Sequence, residues 1–285
     1  MTEQPFTPGL IAPEPLTSPA YWFLFDGYRL LVHVDKEEKV ANVPRVISPA
    51  ELGVTAVSRH YLGYLNTPEG EIHCFTGELA TKTAVPTGMI TAGLRRLYPM
   101  LPETLFQIAG RAVQIVDWDR THQYCGRCGH PTDILPNERA KKCPHCGHTS
   151  YPRLSPAIIV RVTRQGANGP EILLAHGQRH RTGMYSVLAG FVEPGETLEQ
   201  CVQREVREET GIEIQNIQYF GSQPWPFSNS LMIAFTAEYA SGNLKIDPQE
   251  LADAQWFPPD NLPLVPPPIS IARQLIDDFV RQHTT

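Results

Sequence analysis

The stretch Gly190-Phe-Val-Glu-Pro-Gly-Glu196-Thr-Leu-Glu-Gln-Cys-Val-Gln-Arg204-Glu-Val-Arg-Glu-Glu-Thr-Gly-Ile212 carries most of what the sequence says about fold and chemistry. Helical spacing runs from Glu196 to Thr210 and stops at Gly211, a residue type that closes helices in the left-handed conformation. At about 100° per residue, Leu198, Cys201 and Val202 form the apolar stripe expected to face a core. Farther along the same stripe stand Glu205, Glu208 and Glu209. A solvated charged face would lie opposite the stripe, whereas carboxylates that continue it are desolvated and repel one another. A bound divalent cation resolves both costs, and an all-oxygen donor set that also receives phosphates favours magnesium or manganese. The competing reading is a solvated helix with i, i+4 pairs such as Arg204 with Glu208.

Outward from this helix, strands are expected at Ala157 to Val162, Glu171 to His176 and Ser186 to Val192 on one side. On the other side they are expected at Ile212 to Tyr219, Leu231 to Tyr239 and Ala254 to Phe257, with a last helix at Ile269 to Gln282. Mixed strands and helices in this order describe an α/β or α+β layered domain. The N-terminal part is β-rich, with a hairpin about Asp26-Gly27 and a second strand pair turning at Thr67 to Gly70. It ends in an amphipathic helix from Glu103 to Trp118. The resulting division is 1–120 for the N-terminal domain, 121–151 for a cysteine segment and 152–285 for the domain carrying the glutamates.

A chain of 285 residues is long enough for two cores. Its hydrophobic fraction of 41% and charged fraction of 19% exclude a disordered chain. A net charge of −6 gives no general attraction to a nucleic-acid backbone, so phosphate binding would need metal or a local basic patch. The segment His176 to Arg181 is one such patch, and a solvated loop is its competing reading. A basic start with an apolar core is lacking, as is any apolar run of about 18 residues, so a cytoplasmic protein with no membrane contact is expected.

Cys125-Gly-Arg-Cys128 and Cys143-Pro-His-Cys146 are separated by 14 residues. Two such pairs wrap a tetrahedral ion, and four thiolates select zinc. Four protein ligands leave no open position, so the zinc is expected to be structural. Nearby His122, His130, His145 and His148 are then surface or outer residues, and Cys74 and Cys201 free thiols.

The pattern from Gly190 through Glu196 to Arg204, Glu205, Glu208, Glu209 and Gly211 resembles the complete Nudix box at every specified position. The resemblance implies a loop-helix-loop motif on a mixed-sheet α/β/α sandwich that hydrolyses a nucleoside diphosphate linked to another group. It implies metal ligation by Glu205, Glu209, Glu250 and the Ala189 carbonyl. Glu208 becomes a ligand or base, the attacking water is deprotonated by Glu208 or Glu209, and Arg204 fixes the helix by pairing with a carboxylate.

Ser222-Gln-Pro-Trp-Pro-Phe-Ser-Asn-Ser230 resembles the SQPWPFPxS motif of the NADH pyrophosphatase branch, with Ser228 in place of its last proline. The cysteine ribbon is a second mark of that branch, while the first ninety residues match only as a variable domain. Carried over by position, substrate contacts fall at Arg96, Glu138, Tyr151, Gln223, Pro224, Trp225, Pro226, Phe227, Ser228, Asn229, Ser230 and Ala272. Phe191 beside the box is a stacking candidate. Trp225 and Phe227 between prolines offer rigid flat surfaces for a nicotinamide or adenine ring, against a competing role in core packing. The branch implies cleavage of NAD(H) to AMP and nicotinamide mononucleotide, the same reaction on NAD-capped RNA 5′ ends, and a homodimer. Hydrolysis of another dinucleotide or a nucleotide sugar, and a non-catalytic binding module, are the alternatives.

Overall fold

The computed structural model describes residues 6–35, 37, 39–178, 183–227 and 229–284. The chain forms two compact units, one of Met1–Arg153 with Pro226–Ser228, the other of Leu154–Trp225 with Asn229–Thr285.

In the first unit an eight-stranded sheet comprises β1 (Phe6–Pro8), β2 (Ala20–Asp26), β3 (Arg29–Asp35), β4 (Val40–Asn42), β5 (Arg45–Val46), β6 (His60–Thr67), β7 (Gly70–Glu78) and β8 (Met89–Gly93). The β2–β3 hairpin closes through Gly27 and Tyr28, and Gly27 takes the positive φ of 60° that the turn requires. Short α1 (Leu94–Leu97) and long α2 (Glu103–Thr121) follow. Alternation along the strands sorts side chains to two faces. Phe23, Phe25, Leu30 and Val32 pack with Ile108, Ala109, Ala112, Val113 and Val116 of α2, while Trp22, Leu24 and Leu31 build a second cluster.

The cysteine segment belongs to this unit, as a small sheet of β9 (Asp133–Ile134), β10 (Lys141–Lys142) and β11 (Thr149–Ser150). Lys141, only 2% exposed, extends its ammonium to Asp119 at the end of α2 (2.6 Å), and Asp119 also meets His60 of β6 (3.1 Å). Burial pushes the Asp119 carboxyl up, but the hydrogen bonds from His60 and Lys141 outweigh it and leave the group below its ordinary value.

The second unit is built on β12 (Ser155–Gly166), β13 (Gly169–Gly177), β14 (Leu188–Phe191), β15 (Glu213–Trp225), β16 (Ser230–Ser241) and β17 (Leu251–Phe257). β12 runs parallel to β16 and antiparallel to β13 and β14, so the sheet is mixed. Ile158, Val160 and Val162 of β12 face α3 (Leu198–Thr210) through Cys201, Val202 and Val206. Ile159 turns to the other face, where Leu275, Ile276 and Phe279 of α4 (Ile271–His283) pack. This is the expected α/β/α sandwich. The first helix begins at Leu198 rather than Glu196, because Thr197 caps it: the Thr197 hydroxyl accepts from Gln200 N–H, and the Gln200 side chain accepts from Thr197 N–H. The last helix begins at Ile271 behind the Ser270 cap, leaving Ile269 outside. The expected strand Ile212 to Tyr219 extends to Trp225, kept in the sheet by irregular pairing.

Candidate active site

Gly211 ends α3 with φ 71°, as its spacing demanded. At the other end, Glu196 lies just before the cap and bends back onto Arg204. The Arg204 Nε and Nη2 groups both donate to Glu196, and Nη2 also donates to the Phe191 carbonyl (3.0 Å). Nη1 donates to Glu205 (2.8 Å) and Glu208 (3.1 Å). One guanidinium thereby joins the loop, the end of β14 and two of the helix carboxylates, which explains the seven-residue gap between Glu196 and Arg204. The pairing pulls the Glu196 carboxyl down to about 2. The i, i+4 contact with Glu208 exists, as one arm of this larger network.

Gly190 is paired with Ile158 of β12. A Cβ at this position would overlap the Glu205 carboxylate, so only glycine lets Glu205 lie against the backbone of β14. That placement sets Glu205 beside the strand that carries the exposed Ala189.

Glu209 is the most perturbed acid among the described residues. Burial, then the charges of Glu205, Glu250, Asp247 and Glu208, push its carboxyl up to about 8. Glu205 is raised too, chiefly by burial, with Arg204 opposing. The approach of Glu250 and Asp247 has a backbone cause. Asp247 N–H donates to the Glu209 carbonyl (3.0 Å) and Lys245 N–H to that of Thr210 (2.9 Å), docking the 245–250 loop on the end of α3. Asp247 is a further acid of the site that the motif does not specify; its place three residues before Glu250, with Glu250 N–H on the Asp247 carbonyl (3.2 Å), is the local signal for it. The donor set is wholly oxygen and strongly acidic, which fits magnesium or manganese and excludes a soft ion.

In the ribbon, Cys125 Sγ lies 3.6 Å from Cys146 Sγ and Cys128 Sγ 3.5 Å from Cys143 Sγ. These are far longer than a disulfide, at about 2.05 Å, and close to the separation of about 3.8 Å that a tetrahedral ion with 2.3 Å bonds imposes. All four sulfurs are within 4.8 Å of one another. The knuckles repeat one backbone pattern, with Cys125 N–H on the His130 carbonyl and Cys143 N–H on the His148 carbonyl. The residues present fit zinc. Cys74 and Cys201 stand apart from them, buried and unbonded to sulfur.

Phe191 is 58% exposed beside the box. Gln223 spends both ends of its amide on backbone at the start of α4, donating to the Ile269 carbonyl and accepting from Ile271 N–H, both at 2.7 Å. Pro224 and Trp225 end β15 opposite Leu231 and Ser230, and Ser230 and Ala272 are buried. Asn229 accepts from Ser155 N–H through its carbonyl. Pro226 and Phe227 belong to the first unit, where Phe227 packs against the main core and lies 4.6 Å beneath the Arg95 guanidinium. There Arg96 is exposed on α1, and Tyr151, 60% exposed, donates its hydroxyl to Glu138 (3.2 Å). Ser228 and the basic residues Arg179, His180 and Arg181 lie outside the described residues.

A loop-helix-loop that lines up carboxylates along the helix packed on one face of a mixed sheet, with a second helix on the other face, defines a metal-dependent hydrolase of Nudix type. The NUDIX domain model matches residues 153–279, the NADH pyrophosphatase zinc ribbon model residues 120–151, and the NADH pyrophosphatase-like rudimentary NUDIX domain model residues 19–118. The chain is 49% identical over 193 residues to the NAD-capped RNA hydrolase NudC of Deinococcus radiodurans, covering 68% of this chain and 69% of that protein. It is 54% identical over 176 residues to the NAD-capped RNA hydrolase NudC of Salmonella schwarzengrund, covering 62% and 67%. A solved NUDIX hydrolase from Nitrosomonas europaea aligns with TM-score 0.46 and 19% identity, over 56% of this chain and 91% of that one. This chain belongs to the Nudix hydrolase family, in its zinc-ribbon NADH pyrophosphatase branch.

The match at 19–118 corrects the expectation of a merely variable first domain. It is a rudimentary relative of the catalytic domain, hidden in the sequence because α2 buries Ala109, Ala112, Val113 and Val116 and carries no glutamate stripe.

Proposed function

We propose that this chain hydrolyses the diphosphate of NAD(H), giving AMP and nicotinamide mononucleotide, and performs the same cleavage on NAD-capped RNA 5′ ends. The carrying observation is Glu209, half-buried and raised by burial and by the charges of Glu205, Glu250, Asp247 and Glu208, a concentration of negative charge that a divalent cation would neutralise. The family's substrate motif at Ser222 to Ser230 and the relatives named for NAD-capped RNA supply the substrate.

Glu205, Glu209, Glu250 and the Ala189 carbonyl would hold magnesium or manganese. Bound there, the ion polarises the diphosphate and makes a water more acidic. Arg204 keeps Glu205 in position from behind through its bonds to Glu196 and the Phe191 carbonyl. Glu208, the exposed member of the trio, accepts the proton of the attacking water. One phosphorus gains the hydroxyl and the other phosphate leaves as the second mononucleotide. Phe191 and Trp225 offer ring faces to the bases, and Arg96, Glu138 and Tyr151 are further substrate contacts carried over from the family pattern. The enzyme acts in the cytoplasm as a homodimer; light scattering should then give twice the chain mass of 31.9 kDa.

The test is product analysis with magnesium or manganese on NADH, NAD+, an NAD-capped RNA, ADP-ribose and a nucleotide sugar. AMP and the reduced mononucleotide from NADH, with a 5′-monophosphate RNA from the capped transcript, are expected. Faster cleavage of the sugar nucleotide, with NADH left intact, would overturn the assignment.

A further inference from the structure

The ribbon carries a second group of metal-type side chains that the structural zinc does not use. His130 follows the first cysteine pair by two residues, and His145 lies inside the second. The fold stacks their rings, with centroids 3.8 Å apart and planes within 3° of parallel. Both are exposed, so no core dictates the arrangement. The ligand atoms of His130, His145 and Cys128 all lie within 4.8 Å of one another. Cys128 is more open to solvent than Cys125 or Cys143, which are buried.

We propose that His130, His145 and the Cys128 sulfur form a second, exchangeable site for a borderline-soft first-row divalent cation such as zinc, cobalt or nickel, with Cys128 bridging to the structural zinc. This rests on zinc occupying the four-cysteine site and is independent of the substrate. Three features favour it. His130 Nδ1 lies 3.2 Å from the Cys128 carbonyl, a contact only a protonated Nδ1 can make, so Nε2 is left as the free lone pair and the ring is oriented by its own backbone. Four thiolates outweigh the charge of one zinc ion, so Cys128 retains donor strength toward a second cation. Imidazole with thiolate selects zinc-like ions over magnesium, separating this site from the carboxylate cluster. The rings stand in a parallel stack, so at least one must turn out of it for both in-plane lone pairs to meet one ion, a motion their exposure permits, and water completes the shell.

The experiment adds cobalt(II) to zinc-loaded protein and records the near-ultraviolet sulfur-to-cobalt charge-transfer band together with bound zinc and cobalt. Cobalt on the glutamates gives no such band, because no sulfur ligates it there. The expected result is a saturable band whose amplitude corresponds to one sulfur-bound cobalt per chain, beyond any cobalt on the glutamates, with zinc content unchanged. It should be lost in His130→Ala and His145→Ala, while the zinc content and Tm of both variants stay at wild-type values. Absence of the band, its persistence in both variants, or its growth in step with zinc release would overturn the proposal. Each outcome is read without substrate, so failure here leaves the hydrolase assignment standing, and failure of that assignment leaves the second site testable.

Discussion

Replacing Glu209 by glutamine keeps the side chain's shape and removes one charge from the acidic cluster. A carboxyl that ionises near 4.5 in the unfolded chain and near 8 in the folded one makes the folded state bear a cost. The raised acid sets the sign. The cost is absent below about pH 4.5, grows between pH 4.5 and 8, and is complete above 8, where it amounts to roughly 5 kcal/mol at 1.36 kcal/mol per pH unit. The amide carries its own desolvation, and the neighbouring carboxylates relax, so about 2 kcal/mol of stabilisation is expected on substitution. In a domain of this size that is a Tm increase of roughly 5–8 °C. The assay is a melting curve at pH 8 in buffer freed of magnesium and manganese, with ribbon zinc retained, repeated at pH 4.5 and with excess magnesium. Glu209→Gln should melt above wild type at pH 8 and level with it at pH 4.5. Magnesium at about 100 times its Kd should then raise wild type alone, by about 2.7 kcal/mol of binding linkage. Turnover of NADH by the variant should fall at least about 100-fold. A variant that melts at or below wild type at pH 8 without magnesium, and gains as much from magnesium as wild type does, would refute the metal-carboxylate reasoning.

Cys125→Ser should lose zinc and stability together, since a structural ion of this type contributes on the order of 10 kcal/mol to folding; wild-type Tm in a zinc-free variant would remove the staple role. Trp225→Ala should raise KM for NADH by roughly 10- to 100-fold, the worth of about 1–3 kcal/mol of base stacking, with little change in Tm. Equal losses in binding and folding would instead assign Trp225 to packing. Gln223→Leu abandons two backbone groups at the start of α4 and should lower stability by about 1–3 kcal/mol, read by urea denaturation. A normal midpoint with a raised KM would show that Gln223 meets the substrate.

The box was legible because its chemistry is local. Thr197, Arg204 and Gly211 act on residues within about a dozen positions, and helical period alone places Leu198, Cys201 and Val202 in line with Glu205 and Glu209. The ribbon was legible for the same reason: each knuckle closes over six residues from Cys125 to His130 and Cys143 to His148. Strand ends were less so, because pairing partners rather than propensity carried β15 on to Trp225.

Sequence by itself determined the mixed layered fold, the four zinc cysteines and the glutamates of α3, since each is written in residue type at short spacing. Only the tertiary structure decided that Asp247 joins Glu250 in acting on Glu209, that Glu205 occupies the space a side chain at Gly190 would fill, and that Gln223 holds the start of α4. It also decided that Phe227 packs in the core of the first unit and that His130 and His145 stack. These contacts join residues distant in the chain or side chains on separate turns, and their positions follow from how loops dock on helix ends, which no period or motif encodes.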